Sequence, residues 1–280
     1  MQGALNIAIR AARAAGDIIA RYYDRVDTIK VATKGPNDFV TEVDAMCERT
    51  IIDTIKKSYP EHAIRAEESG SHSGNEYEWV IDPLDGTLNF MHGVPHFCVS
   101  IALLANSKSE VGVIYDPMKQ ELFVANRGGG ARLDDKRIRV SSRGGLKNAL
   151  LGTGFPFRET DNIDRYMGIF KDFAGKTAGI RRPGAAALDL AYVACGRFDG
   201  FFEFGLHAWD MAAGALIARE AGAIVADADG SENYLSSGNI VAAPPKVYRE
   251  MHPIIGPRFQ RGNSTAGRTT AGPSKESLID

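Results

Sequence analysis

Asp82 and Asp85 stand three residues apart in the segment EWVIDPLDGTLNF (78–90), around a proline and at the end of an apolar run. Two carboxylates held that close repel each other and raise each other's pKa unless a cation sits between them. Pro83 removes a backbone donor and DGT is strong turn chemistry, so the strand formed by WVI is expected to end where the aspartates begin. Both side chains can then curl toward one point, with the Leu84 carbonyl facing the same way. An all-oxygen set of carboxylates, a carbonyl and waters suits Mg²⁺ or a similar hard ion better than zinc. Taken alone, DPLDG is equally an ordinary surface turn, because Asp, Pro and Gly are the usual turn residues.

Two further acidic segments bear on that choice. EESG (67–70) adds Glu67 and Glu68 at another strand end, and HAWDMAAG (207–214) places Asp210 at a helix N-terminus. The helix dipole favours an anion there, and a plain capping role accounts for Asp210 locally. Other catalytic apparatus is not evident. There is no GxSxG elbow or HExxH helix, and His62, His72, His92, His96, His207 and His252 show no metal spacing. Only His207, three residues before Asp210, is close enough in sequence to touch the same site.

The elements that must position these residues follow from periodicity and punctuation. The N-terminal stretch carries Leu5, Ile9, Ala12 and Ile19 near one helical face. It is basic and alanine-rich like a transit peptide, but Asp17 and the periodicity favour a structural helix. DTIKVATKG reads as a short strand, and KGPNDFVTEVD as a turn or mobile loop. A helix runs through MCERTIIDTIKKSYP to a stop at Pro60. The strand HAIRAEE and the loop SGSHSGNE follow. FCVSIALLA, EVGVIYDP and ELFVANRG are strands, and GGG at 128–130, with no Lys-Ser/Thr after it, is a hairpin turn and not a phosphate loop. From about residue 145 strands and helices alternate: ALLGTGF, RYMGIFKDFAG, AAALDLAYVACG, FDGFFEF, WDMAAGALIAREAG, AIVADADG and SGNIVAAP. That order implies an α/β lobe with a mixed or largely parallel sheet.

Composition sets the outer bounds. The 280 residues are 44% hydrophobic and 24% charged, enough apolar material for one two-lobed globular unit. A formal net charge of −2 argues against a dominant nucleic-acid footprint. Cys47, Cys98 and Cys195 form no CxxC, so neither a zinc knuckle nor a disulfide framework is expected and a cytoplasmic setting is the simplest. No apolar run approaches the ~20 residues of a membrane span. Three segments are expected: an N-terminal α+β lobe (1–144) bearing the metal-binding strand ends, a C-terminal α/β lobe (145–260) completing the site, and a Gly/Ser/Thr/Pro-rich, disordered tail (261–280).

The combination resembles the inositol monophosphatase family, within the lithium-sensitive sugar-phosphatase superfamily. EWVIDPLDGTLNF is similar to the family's first signature and WDMAAGALIAREAGA to its second, with KGPNDFVTEVD and RAEESG upstream in the expected order. The resemblance covers the chain from the first helix to about residue 250. Through KGPNDFVTEVD, RAEESG, DPLDGT and ALDLAYVACGRFDGFFEFGL it is nearest the bacterial SuhB-like branch. Ala66, Leu88 and Ala223 depart from the usual Gly, Thr and Gly without removing a ligand.

What the resemblance implies is specific. The fold would be a layered α/β/α/β/α sandwich of the sugar-phosphatase type, usually a homodimer. The function would be hydrolysis of inositol 1-phosphate, using two or three Mg²⁺ ions and a metal-activated water, with inhibition by Li⁺. Glu67, Asp82, Asp85 and Asp210 would be side-chain metal ligands and Leu84 a main-chain one. Thr87 would orient the attacking water, with Asp44 behind it and Glu67 sharing its proton, and Glu68 would lie farther out. Asp85, Gly86, Thr87, Arg181, Gly184, Ala186, Glu203 and Asp210 would meet the substrate. Other small phosphates remain open as substrates: fructose 1,6-bisphosphate, histidinol phosphate or a 3′-phosphoadenosine nucleotide. So does a second role of that branch, as a transcription antitermination partner of Nus factors and RNA polymerase.

Overall fold

The computed structural model describes residues 1–35, 38–156 and 163–259. The tail expected to be disordered lies outside the described residues. The first half of the chain forms α1 (Gln2–Tyr23), β1 (Val31–Gly35), β2 (Asp38–Thr41), α2 (Glu42–Lys56), β3 (Ala63–Ala66), β4 (Gly70–His72), β5 (Tyr77–Asp85) and α3 (Thr87–Met91). A meander follows: β6 (Cys98–Ala105), β7 (Lys108–Asp116), β8 (Glu121–Asn126), β9 (Gly130–Leu133) and β10 (Lys136–Arg137). The second half forms β11 (Leu150–Thr153), α4 (Ile163–Ala174), β12 (Gly179–Arg181), α5 (Ala186–Ala194), β13 (Gly200–Glu203) and α6 (Ala208–Glu220). It closes with β14 (Ile224–Ala226), α7 (Tyr234–Ser237), β15 (Ile240–Ala243) and α8 (Pro245–Ile255).

Two sheets result. The first has eight strands in the order β10-β9-β8-β7-β6-β5-β3-β4 and is antiparallel except for the parallel pair β3–β5. The second has five, in the order β12-β11-β13-β15-β14. There β11 runs parallel to both neighbours while β15 runs antiparallel to both of its own, so the sheet is mixed. Three apolar clusters mark the spaces between layers: one between α1/α2 and the first sheet, one around α5/α6 between the sheets, and one beneath α4/α8. The order of layers is therefore α/β/α/β/α.

Residue size decides how tightly the layers close. α1 turns Ala8, Ala11, Ala12, Ala15 and Gly16 inward. A Cβ on Gly16 would fall 2.4 Å from the Tyr115 ring. α6 is apolar nearly all the way round, from Met211 to Ala218, because it is sandwiched between the sheets. At Gly112 of β7 a Cβ would come within 2.8 Å of the Ala213 carbonyl oxygen, and at Gly214 within 2.7 Å of Leu190. Small residues thus let α6 lie directly on β7 and against α5, carrying Asp210 to the first sheet.

Two expectations are corrected. The segment KGPNDFVTEVD (34–44), read as a turn or mobile loop, supplies β2 and the start of α2; β2 pairs with the expected strand β1 from Val31↔Thr41 to Thr33↔Phe39, which satisfies backbone groups. The strand expected to stop at Asp82 runs on through Asp85. Asp82 pairs with Ser100 and Asp85 with Cys98, and the register breaks between them, where Pro83 has no N–H to offer. The GGG segment does form the β8–β9 turn, and all three cysteines are free thiols. Among the described residues no helix is long and apolar enough to cross a membrane.

Candidate active site

The site grows from the ends of β3 and β5. The Glu67 N–H donates to the Ile81 carbonyl at 3.2 Å, extending the β3–β5 pairing by one residue and setting Glu67 beside Asp82. Beyond burial, the Glu67 carboxylate is near enough for its charge to help raise the Asp82 pKa. At the register break, Asp82 Oδ1 accepts the Leu84 N–H at 3.0 Å and closes a tight turn over Pro83. Gly86 follows with φ +96°, a left-handed conformation that glycine adopts without strain. A Cβ there would also lie 3.0 Å from the His96 carbonyl and 3.1 Å from Phe97 Cβ.

α2 reaches into the same place. Thr41 caps it, accepting the Val43 N–H at 3.2 Å, while the Thr41 N–H and hydroxyl reach Asp44 Oδ2 at 2.9 and 2.5 Å. That box leaves Asp44 Oδ1 to accept the Thr87 hydroxyl at 2.9 Å, and the same hydroxyl lies 3.0 Å from the Leu84 carbonyl. One turn farther along α2, the buried Glu48 carboxylate accepts the N–H groups of Glu68 and Ser69, both at 2.8 Å.

The second sheet's side is tied to the first at three points. Asp85 Oδ2 accepts the Ala187 N–H, in the first turn of α5, at 2.7 Å. Asn89 Nδ2 donates to the carbonyls of His96 and Pro183, each at 2.8 Å, and His96 Nε2 meets Asp189 Oδ1 at 3.0 Å. These contacts fix the segment 183–187 against the strand ends. Asp210 is the third residue of α6 and not its cap. It reaches back so that Oδ2 accepts the His207 N–H at 2.7 Å, which holds the carboxylate at the helix entrance.

Carboxylate oxygens of Asp82, Asp85 and Asp210 all lie within 4.8 Å of one another. They line a cavity of about 320 Å³ together with Glu67, Leu84, Gly86, Thr87, Gly184, Ala186 and Glu203. Of the residues expected at the site, Asp44 stands behind Thr87, and Arg181 is outside. Arg181 is exposed at the end of β12, its guanidinium turned to the Ile180 carbonyl at 3.2 Å. Its neighbour Arg182 lines the cavity instead, over the Phe155 ring at 5.7 Å. His207 does not line the cavity; its ring stacks on Trp209 at 4.6 Å.

Several contributors had no strong sequence signal. Gly154 leaves room for Glu203, whose Oε1 lies 1.9 Å from where a Cβ on residue 154 would sit. Phe39, Leu88, Phe155 and Leu206 give the mouth an apolar rim. Glu48 looks in sequence like any polar helix residue, and only its fourfold spacing from Asp44 hinted at a shared face.

The sequence profile of the inositol monophosphatase family spans residues 1–260. The chain belongs to the inositol monophosphatase family. It is 54% identical over 265 residues to the Nus factor SuhB of Pseudomonas aeruginosa, covering 92% of this chain and 98% of that protein. In structure it matches the extragenic suppressor protein suhB of Bartonella henselae with a TM-score of 0.88 at 40% identity, over 90% of this chain and 98% of that one. The inositol monophosphatase of Anabaena matches with a TM-score of 0.80 at 39% identity, over 90% and 95% of the two chains.

Electrostatics show what this member of the inositol monophosphatase family asks of a ligand. Among the described residues, five carboxyl groups line the cavity against a single basic residue, Arg182. Burial pushes Asp82 well above the usual carboxylate range, and the charges of Glu67, Asp85 and Asp210 push it farther. Asp85 is raised by burial and then by Asp210, against the lowering effect of the Ala187 N–H. Glu203 is raised by burial, then by Asp189, Asp210 and Asp85. Such a cluster is costly unless protons or cations neutralise it. The donor set is all oxygen, so the residues fit hard divalent cations.

Proposed function

We propose that the chain is a Mg²⁺-dependent phosphomonoesterase that hydrolyses inositol 1-phosphate. The observation that carries this reading is the convergence of Asp82, Asp85 and Asp210 from both halves of the fold, within 4.8 Å, at the floor of a polyol-sized cavity. Asp82, Asp85 and Asp210 would hold the ions with Glu67 and the Leu84 carbonyl. When bound, Mg²⁺ supplies neutralising charge and acidifies the attacking water. Two or three ions are proposed.

The chain's own groups do the rest. Thr87 Oγ1 accepts a hydrogen bond from the water while its own proton points to Asp44 Oδ1, and Glu67 shares the water's proton. Burial raises the Asp44 pKa above the ordinary carboxylate value, against the hydrogen bonds from Thr41 and Thr87, which suits a proton acceptor. As the water oxygen bonds to phosphorus and gives up one proton toward Glu67, the ester P–O bond breaks and the inositol oxygen takes up one proton from solvent, so that no net proton is consumed. Gly86 and Thr87, at the start of α3, offer backbone N–H groups to the phosphate. Glu203 accepts hydrogen bonds from vicinal hydroxyls, between Gly184, Ala186 and Arg182. Charge neutralisation and positioning are most of what phosphoryl transfer needs. Assembly as a homodimer is part of the proposal.

The test is phosphate release from inositol 1-phosphate with Mg²⁺ titrated, with and without Li⁺. Turnover that needs Mg²⁺ and is suppressed by Li⁺ is the expected result. Turnover only on fructose 1,6-bisphosphate or a nucleotide phosphate would retain the metal site and replace the substrate.

The 54% identity to a Nus factor SuhB favours a second reading, in which the chain also serves as a partner of Nus factors and RNA polymerase in antitermination. A variant lacking a metal ligand, Asp82→Asn, would still rescue a deletion phenotype if partnership and not chemistry carries it. Loss of rescue would sink that reading.

A further inference from the structure

Glu48 is a buried carboxylate with no place in the chemistry just described. Desolvating it is costly, and an apolar side chain would serve helix packing as well. What Glu48 does is grip two consecutive backbone N–H groups, one with each oxygen: Oε2 accepts from Glu68 and Oε1 from Ser69, both at 2.8 Å. Such charge-assisted bonds are stronger than neutral ones, and paired donors on successive residues fix the orientation of a turn as well as its place. The turn so held begins immediately after Glu67, whose N–H is already bound to Ile81.

Glu48 lies four residues after Asp44 on α2, hence on the same helix face. Asp44 fixes the turn after β5 through Thr87, and Glu48 fixes the turn after β3. One rigid helix therefore sets the spacing between the two turns that carry Glu67 and Asp82/Asp85.

We propose that Glu48 is a positioning residue for the cation site, acting through the backbone of Glu68 and Ser69 to hold Glu67 at its distance from Asp82. The proposal rests on the reading of Glu67 as a ligand. Glu48→Gln keeps the size of the side chain but offers one accepting oxygen where there were two, so one N–H faces an amide NH₂.

The experiment is calorimetric titration of MgCl₂ into the purified full-length protein and into Glu48→Gln, beside thermal unfolding of both. Groups that orient a metal ligand typically contribute 10–100-fold in affinity, so the Mg²⁺ dissociation constant is expected to rise by about that factor. The Mg²⁺ concentration for half-maximal phosphate release rises with it, while kcat at saturating Mg²⁺ stays within a few-fold. A folded Glu48→Gln protein that binds Mg²⁺ within twofold of the parent overturns the proposal, as does a lower thermal midpoint with unchanged Mg²⁺ affinity. Absence of Mg²⁺ binding by the parent would instead overturn the metal-site reading itself. Should Glu48→Gln fold poorly, Glu48→Asp decides: its carboxylate is one methylene too short for the turn, and parental Mg²⁺ affinity in that variant also overturns the proposal.

Discussion

Asp82→Asn is expected to abolish phosphate release while making the metal-free protein more stable. The loss follows from removing a charge that would hold the cations by which the phosphoryl group is neutralised. Lewis-acid stabilisation is worth several kcal/mol, and about 4 kcal/mol corresponds to roughly a thousandfold in rate. The gain follows from the crowding of acids in the cavity. Asp82 has its folded-state pKa raised well above the ordinary carboxylate value, by burial first and then by Glu67, Asp85 and Asp210. A carboxyl of that kind holds more protons folded than unfolded. Its favourable contribution is present below about pH 4 and is lost as pH rises toward the folded-state value. At neutral pH, ionising Asp82 therefore works against the fold, and an uncharged asparagine, whose Oδ1 still accepts the Leu84 N–H, relieves it.

Two measurements check this. The thermal midpoint of the metal-free parent falls as pH is raised above about 4, and the variant shows a shallower fall. At neutral pH the variant's midpoint lies above the parent's by about 2–4 °C, the shift that roughly 1 kcal/mol gives in a chain of this size. Added Mg²⁺ raises the midpoint of the parent and leaves the variant's unmoved, since only a ligand bound by the folded state shifts that equilibrium. A variant that is both inactive and less stable would mean that the acidic cluster is structural.

The second large effect is at Thr87. Thr87→Ala is expected to lower kcat by about a hundredfold, the lower end of what a positioned proton-transfer group contributes. KM and the Mg²⁺ requirement should stay near parental values, because no ligand atom is removed. Thr87→Ser keeps an oxygen within reach of Asp44 Oδ1 and restores most of the rate. Steady-state kinetics at saturating Mg²⁺ would decide it, and equal loss in the Ser and Ala variants would rule out the hydroxyl as the group responsible.

How much of this was legible in the sequence depends on the distance over which each residue acts. The Asp82–Asp85 pair is local, and its turn residues raised a cation site as one of two equal readings, which Glu67, Glu68 and Asp210 then tipped. Asp210 is not local. Its sequence context describes a helix entrance equally well, and only the family resemblance and then the packing of α6 brought it to the other two. Arg181 shows the limit of a local reading: it ends β12, and its neighbour Arg182, one position beyond the strand, is the one that lines the cavity. Glu48 was invisible because a glutamate on a helix is normally solvated, and nothing local announces that two N–H groups of another segment will meet it. Gly154 was missed for a related reason, since the space it leaves is filled by Glu203 from a neighbouring strand. β2 was hidden by the Gly-Pro-Asn punctuation before it, and α8 by Pro253 within an otherwise amphipathic run.

The seating of α6 between two sheets also bears on how the chain is made. Asp82 and Asp85 leave the ribosome together, within strands that can pair with their immediate neighbours. Asp210 emerges far downstream, on a helix that has no polar face to turn to water and is shelved only when both sheets are present. Contacts of such long sequence separation form late, because the loop they close must first be collapsed. A nascent chain thus holds two of its three clustered aspartates, without the third, while residues 86 to 209 are being made. A complete trap of the proposed kind therefore arrives only with the middle helical layer, so that occupancy of the site would report that both sheets had closed on α6.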